Sequence, residues 1–281
     1  MKNILLTGAS GQVGRELLRT LAPLGRVLAF DRQALDLTRV DAIRAAIRTV
    51  RPDIIVNAAA YTAVDQAEAE PDPATAINGR APGVMAEEAR GLGALLVHYS
   101  TDYVFDGAKP GPYTEADDPA PLNAYGRSKL AGERAIAASG CRHLIFRTSW
   151  VYGLSGRNFL RTIWRLASER EELRIVADQI GAPTWSRMIA EATALALRGD
   201  PHEGLYHMSC AGATSWHGFA KAILDAQGWC GRLIPIPTHD YPMPASRPAN
   251  SRLDNGKLAA ELGLALPDWR ESLALCLGDL A

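Results

Sequence analysis

Short apolar runs bounded by turn residues recur through the first half of the chain. The runs are NILLTG, RVLAFD, DIIVNAAA, ALLVHYSTD and HLIFRTSW. They lack the alternation of apolar and polar residues that a strand with one solvent-exposed face shows. Segments with helical spacing, such as Leu17, Leu18 and Leu21, lie between them. Strands that alternate with helices predict an α/β fold with a doubly wound parallel sheet buried on both faces.

The pattern changes after about Trp150, where strands and helices no longer alternate regularly. The helical stretches there are 158–166, 185–197 and 215–227, and the strand candidates are LRIV, GLYHMS and LIPIP. Five of the 17 prolines fall in 235–250, which predicts a long loop. We predict a larger domain over 1–150 and a smaller α+β domain over 151–281, from which some segments return to the first.

The turn after the first strand is rich in glycine. It reads TGASGQVG, so that Gly8, Gly11 and Gly14 are spaced GxxGxxG, with Gln12 and Val13 inside the turn. Such glycines tighten the turn and let a pyrophosphate approach the backbone at a helix N-terminus. The turn predicts a dinucleotide site in a Rossmann sheet over 1–150; a chance glycine cluster at a βα turn is the alternative.

The residues after the second strand bear on the choice of cofactor. Asp31 follows that strand at the distance expected for a carboxylate that binds the adenosine ribose, which favours NADH. Arg32 and Arg15 could instead neutralise the 2′-phosphate of NADPH, so both cofactors stay open. Asp36 and Leu37 could border the adenine, or Asp36 could be a solvated loop acid.

Small residues follow the third strand in the run NAAAYT. Ligands of open α/β sheets lie at the carboxyl ends of the strands, where small side chains let a cofactor rest against the backbone. Ala59, Ala60, Tyr61 and Thr62 are therefore cofactor candidates. The alternative is a close contact between helix and sheet.

Three residues have the chemistry of a proton-transfer site. Thr101 ends the fourth strand, and Tyr125 and Lys129 lie one helical turn apart in AYGRSK. A nearby ammonium favours the phenolate, so we expect Lys129 to lower the pKa of Tyr125. Alone, the pair could be amphipathic residues at the edge of the core. Ser128 is expected to face away from Tyr125 and take no part.

The motifs TGASGQVG, NAAAYT and YGRSK resemble the extended short-chain dehydrogenases/reductases. The runs STDYVFDG, PYTEADDPAPLNAYGRSKLAGE, FRTSWVYG, RNF and DQIGAPT extend this resemblance over about 1–184, with a weaker echo in RPANSRLD. They narrow it to the branch that reduces the C4 keto group of dTDP-4-dehydro-6-deoxy-L-mannose. The resemblance implies an NAD(P)H-dependent oxidoreductase of dTDP-rhamnose biosynthesis, which serves cell-surface polysaccharides.

The resemblance also implies roles for individual residues. Tyr125 would protonate the developing alkoxide, Lys129 would hold the nicotinamide ribose, and Thr101 would bind the substrate oxygen. Asp102 and Trp150, with Thr101, match positions that contact the nucleotide-sugar. The positions that match dinucleotide contacts are Gly11, Gln12, Val13, Asp36, Leu37, Ala59, Ala60, Tyr61 and Thr62.

Four further residues keep two interpretations each. Trp150 could form the wall of a sugar pocket or pack between domains. Asn158 could bind a sugar or phosphate oxygen, or cap the helix that begins there. Arg247 and Arg252 could meet the diphosphate, or lie on the surface as arginines usually do.

Composition limits the partners. The formal net charge is -1, with 30 basic and 31 acidic residues, which argues against nucleic acid as a main partner. No apolar run is long enough to span a membrane. The four cysteines form no CxxC pair, which favours a reducing, cytoplasmic location. The family resemblance leaves open a homodimer and a Mg²⁺ ion, for which Glu16 is one candidate ligand.

Three alternatives to this reductase remain. The chain could reduce a different 4-keto nucleotide-sugar. An epimerase or dehydratase would use the same Tyr125 and Lys129 but keep its cofactor bound and recycle it. A regulatory subunit without catalysis could bind a dinucleotide only to stabilise a partner enzyme.

Overall fold

The computed structural model describes residues 1–199 and 201–279, and a six-stranded parallel sheet lies at its centre. The six strands are β1 (Lys2–Thr7), β2 (Gly25–Phe30), β3 (Ile54–Asn57), β4 (Leu95–Thr101), β5 (His143–Thr148) and β10 (Gly204–His207). Their order is β2-β1-β3-β4-β5-β10, and every pairing is parallel. The predicted doubly wound sheet is confirmed.

The remaining elements flank this sheet or form small sheets of their own. The helices are α1 (Gln12–Thr20), α2 (Val40–Val50), α3 (Val64–Ala69), α4 (Pro71–Thr75), α5 (Ala81–Leu92), α6 (Ala124–Ser139), α7 (Phe159–Glu169), α8 (Ser186–Ala196), α9 (Trp216–Gln227), α10 (Gly256–Leu262) and α11 (Trp269–Gly278). The short strands are β6 (Val151–Tyr152), β7 (Glu172–Val176), β8 (Ile180–Gly181), β9 (Thr184–Trp185), β11 (Thr214–Ser215) and β12 (Arg232–Ile236).

The central strands are buried on both faces, as their apolar runs predict. Ile4, Leu6 and Val56 belong to one core, whereas Leu5 and Ile55 belong to the core on the opposite face. Side chains alternate across a strand, so a strand between two helix layers needs apolar residues at every position. This explains why these strands carry continuous apolar runs.

The strand order reverses at β1, which lies between β2 and β3. The glycine turn follows β1, and the small residues of NAAAYT follow β3, so both segments leave the same carboxyl edge of the sheet. Ligands of doubly wound sheets bind at this kind of reversal. The fold therefore brings the two predicted cofactor segments together.

The second half of the chain contributes to both parts of the molecule. β10, part of the strand candidate GLYHMS, pairs with β5 in the central sheet, and α8 packs against α1. β7 pairs with β12, β8 with β11 and β6 with β9 in two-stranded sheets. One core cluster joins Leu6 and Leu17 to Phe219 and Trp269. The boundary at residue 150 stays a prediction.

The proline-rich segment 235–250 is mostly irregular. It begins with the last residues of β12, which ends at Ile236, and contains a single 3₁₀ turn at Thr238–Asp240. Over the described part of the chain, no helix has the length and apolar character needed to cross a bilayer.

Candidate active site

The glycine turn is shaped for close approach of another backbone. Gly8 has φ +70°, and a Cβ on it would lie 2.5 Å from the backbone nitrogen of Ala59. A Cβ on Gly14 would lie 2.1 Å from the carbonyl oxygen of Gly8. Gly11 precedes α1 without a side-chain cap, so no side chain fills the helix N-terminus. The turn fits a dinucleotide pyrophosphate, which would take the place of a capping side chain.

Gln12 and Asn158 connect this turn to the second half of the chain. Nδ2 of Asn158 donates to Oε1 of Gln12 at 2.7 Å and to the carbonyl oxygen of Gly153 at 2.8 Å. Oδ1 of Asn158 accepts from the backbone N–H of Arg161 and caps α7. Asn158 therefore has the capping role, and a sugar contact by Asn158 stays a prediction. Val13 packs against the core.

The acids after β2 organise the backbone around them. Oδ1 of Asp31 accepts from the N–H groups of Gln33 and Ala34, and Arg32 is exposed. Oδ1 of Asp36 accepts from both the backbone and the hydroxyl of Thr38, and these bonds lower the pKa of Asp36. Leu37 is buried, in the core cluster that includes Leu5.

A buried asparagine holds the segment that follows β3. Oδ1 of Asn78 accepts from the backbone N–H of Tyr61 at 2.8 Å, and its Nδ2 donates to the carbonyl of Tyr61 at 3.0 Å. The phenol of Tyr61 donates to Glu70. Ala59 and Ala60 are half-buried, and Thr62 is exposed. Asn78 lies on a π-helical turn, Ala76–Arg80, and no sequence pattern indicated its role.

Thr101, Asp102 and Tyr125, which we call the reactive cluster, meet at the carboxyl edge of β4. The hydroxyl of Thr101 donates to Oδ1 of Asp102 at 3.0 Å, and a hydrogen bond links Thr101 to the phenol of Tyr125. Asn123 caps α6 by accepting from the N–H of Gly126, which fixes the turn that carries Tyr125. The structure brings these predicted residues together.

Burial changes the acidity of the reactive cluster. It raises the pKa of Tyr125 to about 12; the neighbouring hydroxyl of Thr101 opposes this rise, and the charge of Asp102 adds to it. Burial also raises the pKa of Asp102 to about 7, against the hydroxyls of Ser251 and Thr101. Oδ2 of Asp102 is buried and has no hydrogen-bond partner of standard geometry among the described residues.

Lys129 is buried beside this cluster but turns its amine toward β4. Its Nζ donates to the carbonyl oxygen of Tyr99 at 2.5 Å and lies 3.1 Å from Nε2 of His98. Burial lowers the pKa of Lys129 to about 8. Lys129 does not lower the pKa of Tyr125, contrary to the prediction. Burial dominates the pKa of the phenol, and the amine of Lys129 is held by Tyr99 and His98.

The contacts of Lys129 continue as a buried chain of polar side chains. Nδ1 of His98 lies 3.1 Å from Nδ2 of Asn57, and the hydroxyl of Thr7 donates to Oδ1 of Asn57 at 2.7 Å. Thr7, Asn57, His98 and Lys129, which we call the lysine network, are each at most 1% exposed. Sequence analysis missed Thr7, Asn57 and His98, although polar residues inside apolar strands are the signal that could have indicated them.

Ser128 has a structural role that the sequence did not predict. Its hydroxyl donates to the backbone carbonyl of Tyr125 at 2.7 Å and accepts from Nδ2 of Asn78 at 2.9 Å. Because Asn78 also holds Tyr61, this contact connects the first turn of α6 with the segment after β3.

Trp150 stacks on a second tryptophan. Its ring lies parallel to that of Trp216, with centroids 3.5 Å apart, and Phe159 packs against Trp216. Trp150 has φ +46°, an uncommon conformation for a bulky residue, and Gly181 leaves room for its indole. Trp150 is half-buried, so part of the indole remains accessible. Sequence analysis missed Trp216 because it lies 66 residues beyond Trp150 in the numbering.

Three charged residues that could bind a diphosphate or a metal ion instead form ion pairs or hydrogen bonds with other residues of the protein. Arg247 forms a bidentate ion pair with Asp65, at 3.0 and 2.7 Å. Arg252 bonds to Oδ1 of Asn250. Glu16 pairs with Arg187, and the described residues contain no group of three or more potential metal ligands. A Mg²⁺ ion stays a prediction of the family resemblance.

A cavity of about 400 Å³ lies at the opposite edge of the sheet. It is lined by residues before or at the start of the strands, including Lys2, Pro52 and Leu95. It is remote from the reactive cluster, which follows the carboxyl end of β4.

Comparison with known proteins adds to this geometry. A family model described as the RmlD substrate binding domain matches residues 1–281. The chain is 52% identical to the dTDP-4-dehydrorhamnose reductase of Burkholderia thailandensis and 46% identical to that of Escherichia coli K12, and each alignment covers 99% of this chain and 98% of the relative. A crystal structure of dTDP-4-dehydrorhamnose reductase from Bacillus anthracis in complex with NADP has a TM-score of 0.95 at 38% identity, covering 99% of both chains.

Proposed function

The chain belongs to the RmlD substrate binding domain family, and from this membership we propose that it reduces dTDP-4-dehydro-6-deoxy-L-mannose to dTDP-L-rhamnose. The reaction adds a hydride and a proton across the C4 carbonyl of the nucleotide-sugar. The observation that carries the proposal is the contact between Thr101 and Tyr125 at the sheet edge shared with the glycine turn. This arrangement supports a role for the Tyr125 phenol as a proton donor beside the predicted cofactor cleft.

We propose that Tyr125 is the proton donor. Its pKa of about 12 keeps the phenol protonated near neutral pH, and the developing alkoxide is a strong enough base to take that proton. The hydroxyl of Thr101 would hold the same oxygen after turning from Asp102. Lys129 would bind the nicotinamide ribose through an amine whose position the carbonyl of Tyr99 fixes.

A reduced nicotinamide cofactor supplies the hydride when bound. Gly8, Gly11 and the free first turn of α1 would hold its pyrophosphate. Asp31 and Arg32 follow β2, where the adenosine ribose would lie, and their opposite charges suit NADH and NADPH respectively. We therefore propose that the enzyme uses NADPH or NADH, and the relative from Bacillus anthracis was solved with NADP.

The nucleotide-sugar would bind across the reactive cluster. Asp102 offers a buried carboxyl oxygen without a partner among the described residues, which suits a sugar hydroxyl. Trp150, supported by Trp216, offers an aromatic face to a sugar or base. We place the reaction in the cytoplasm, because four free cysteines suit a reducing compartment. A homodimer stays a prediction of the family resemblance.

The test is oxidation of reduced cofactor with the enzymatically made 4-keto nucleotide-sugar, once with NADPH and once with NADH. We expect substrate-dependent oxidation by the wild type and almost none by Tyr125→Phe. A wild-type rate no faster than that of Tyr125→Phe with either cofactor would refute the proposal. Protein that purifies with one equivalent of oxidised NAD and consumes no free cofactor would indicate an epimerase instead.

A further inference from the structure

Tyr125, Lys129 and Glu133 follow one another on one face of α6. They are spaced four residues apart, so each lies one helical turn from the next. Lys129 is 1% exposed and Glu133 is 5% exposed, so an ammonium and a carboxylate are buried side by side. Buried charges of opposite sign normally pair with each other. In this structure each of the two has other partners.

Glu133 is paired with Arg147 of β5. Nε of Arg147 donates to Oε1 of Glu133 at 2.9 Å, and Nη2 donates to Oε2 at 2.6 Å. The guanidinium also lies over the ring of Phe105, 5.0 Å from its centroid, and Arg147 is 3% exposed. Bidentate pairs of this kind are strong and geometrically specific. Arg147 therefore occupies both carboxylate oxygens of Glu133.

The amine of Lys129 has neutral partners. Nζ donates to the carbonyl oxygen of Tyr99 and lies 3.1 Å from Nε2 of His98. Asn57 holds His98, and Oδ1 of Asn57 accepts from the backbone N–H of Ala59 at 3.3 Å. None of these partners carries a negative charge, so the positive charge of the ammonium is left for a ligand.

The charge of Glu133 nevertheless reaches Lys129. Burial lowers the pKa of Lys129 to about 8, and the charge of Glu133 acts in the opposite direction. Near neutral pH the amine is therefore an ammonium, attracted by a carboxylate one helical turn away. His207 on β10 offers Glu133 no further cation, because burial and the charge of Arg147 lower the pKa of His207 to about 3. Arg147 is thus the cation that competes with Lys129 for Glu133.

We propose that Arg147 is a positioning residue that keeps the Lys129 ammonium available to the nicotinamide cofactor by holding both carboxylate oxygens of Glu133. The inference rests on the proposed contact between Lys129 and the nicotinamide ribose. Without Arg147, Glu133 would take the ammonium as its counter-ion, because a buried carboxylate needs a partner. The alternative is a structural link that only fastens α6 to β5.

The test is cofactor binding to the full chain without nucleotide-sugar, by calorimetric titration with NADPH and with NADH. Arg147→Met places an uncharged side chain in the same space. We expect its Kd to rise about tenfold or more, because a hydrogen bond to a charged group contributes at least that factor. Adding Glu133→Gln removes the competing carboxylate, so the Kd of the double variant should return to within about threefold of the wild type.

The double variant separates the two roles of Arg147. A lost structural link is not restored by a second substitution, so a double variant that binds as weakly as Arg147→Met overturns the proposal. Wild-type affinity in Arg147→Met overturns it as well. If Arg147→Met does not fold, the double variant decides alone. A Kd within about threefold of the wild type then supports the proposal, and any larger rise overturns it.

Arg48→Met is the matched control. Arg48 forms a bidentate ion pair with Glu88, with both distances 2.8 Å, and this pair joins α2 to α5. Because Glu88 and Lys129 lie on different helices, we expect the Kd of the control to equal that of the wild type. A rise as large as that of Arg147→Met would show that the loss of any such pair weakens binding, which overturns the proposal.

A crystal structure of Arg147→Met gives a second measurement. We expect Nζ of Lys129 at about 2.8 Å from a carboxylate oxygen of Glu133 and no longer on the carbonyl of Tyr99. A purely structural link would leave the amine on Tyr99, and that result overturns the proposal.

The outcomes separate this inference from the proposed function. If the wild type binds cofactor but does not reduce the 4-keto sugar, the reductase assignment fails and the binding comparison still decides the inference. If the wild type reduces the sugar but Glu133→Gln does not rescue Arg147→Met, the inference fails and the reductase assignment stands. A wild type that binds neither NADPH nor NADH overturns both.

Discussion

The lysine network and the reactive cluster lie side by side at one edge of the sheet, yet their polar groups are arranged in opposite ways. Thr7, Asn57 and His98 pass hydrogen bonds from one to the next without a gap. The reactive cluster leaves Oδ2 of Asp102 without a partner among the described residues, and burial raises the pKa of both its acids.

This difference separates two tasks. A satisfied buried network makes its members rigid, so the lysine network is suited to fixing the position of Lys129. An incompletely satisfied buried group costs free energy until a ligand supplies the missing partner. We therefore expect substitutions in the lysine network to lower stability first, and substitutions in the reactive cluster to lower the rate first.

The largest expected effect is the loss of rate in Tyr125→Phe. Removing a general acid typically costs about 10²–10⁴-fold in kcat, whereas the phenol contributes no bond to the lysine network. We expect this loss in the cofactor oxidation assay, with the urea unfolding midpoint nearly unchanged. A variant that unfolds more easily but turns over normally would contradict the division of tasks.

Gly8→Ala should damage stability by acting on the lysine network. The new Cβ would press on the backbone nitrogen of Ala59, the donor that orients Asn57, and would sit at φ +70°. We expect a loss of about 2–5 kcal/mol in the free energy of unfolding, from overpacking and strain together.

Gly93→Ala is the control for this prediction. Gly93 has φ +67°, but no atom lies within 4 Å of the position that a Cβ would take there, so the variant carries the strain without the clash. We expect a loss of about 1 kcal/mol in urea unfolding. Equal losses at Gly8 and Gly93 would show that the contact with Ala59 does not matter.

Asp102→Asn should change how stability depends on pH. The folded-state pKa of Asp102, about 7, lies above its usual value of 3.8, so proton binding favours the folded state. This stabilisation is full below 3.8 and is lost as the pH rises to about 7. The wild type should therefore lose up to about 1.4 kcal/mol per pH unit relative to Asp102→Asn in that window.

The measurement for Asp102 is urea unfolding of both proteins at several pH values. The difference between them isolates Asp102 from the other titrating groups. A constant difference from acid to neutral pH would mean that the pKa of Asp102 is the same in the folded and unfolded states, and that a raised pKa does not distinguish the reactive cluster.

The smallest expected effect comes from Trp216→Leu. The substitution removes the ring that stacks on Trp150 but leaves the lysine network and the reactive cluster intact. An aromatic pair is worth about 1 kcal/mol beyond its buried area, so we expect KM for the nucleotide-sugar to rise about fivefold with kcat little changed. A fall in kcat with constant KM would place Trp216 closer to the chemistry than we propose.

The parts of the fold that follow local patterns could be predicted from the sequence. The apolar runs indicated β1 to β5, and the glycine spacing indicated the turn before α1. Gly8 adopts the positive φ that only glycine takes without cost, which is why the glycine pattern is informative. Thr101 could be placed at the edge of the glycine turn because parallel strands end together, and Tyr125 and Lys129 could be paired by helical spacing.

The parts that depend on distant contacts could not be predicted in this way. His98 looked like one polar residue in an apolar strand, since its partners Asn57 and Lys129 come from two other elements. The pKa of Tyr125 depends on how deeply α6 packs, which spacing does not report. Trp216 meets Trp150 only after the second half has folded back.

The position of β10 at the edge of the central sheet has a consequence for how the chain is made. β5 gains its outer neighbour only when residues 204–207 have left the ribosome, long after the other five strands are complete. Until then β5 presents an unpaired edge, which is a template for pairing with another nascent chain. A fragment that ends near residue 150 should therefore aggregate, even though it contains every residue of the lysine network and the reactive cluster.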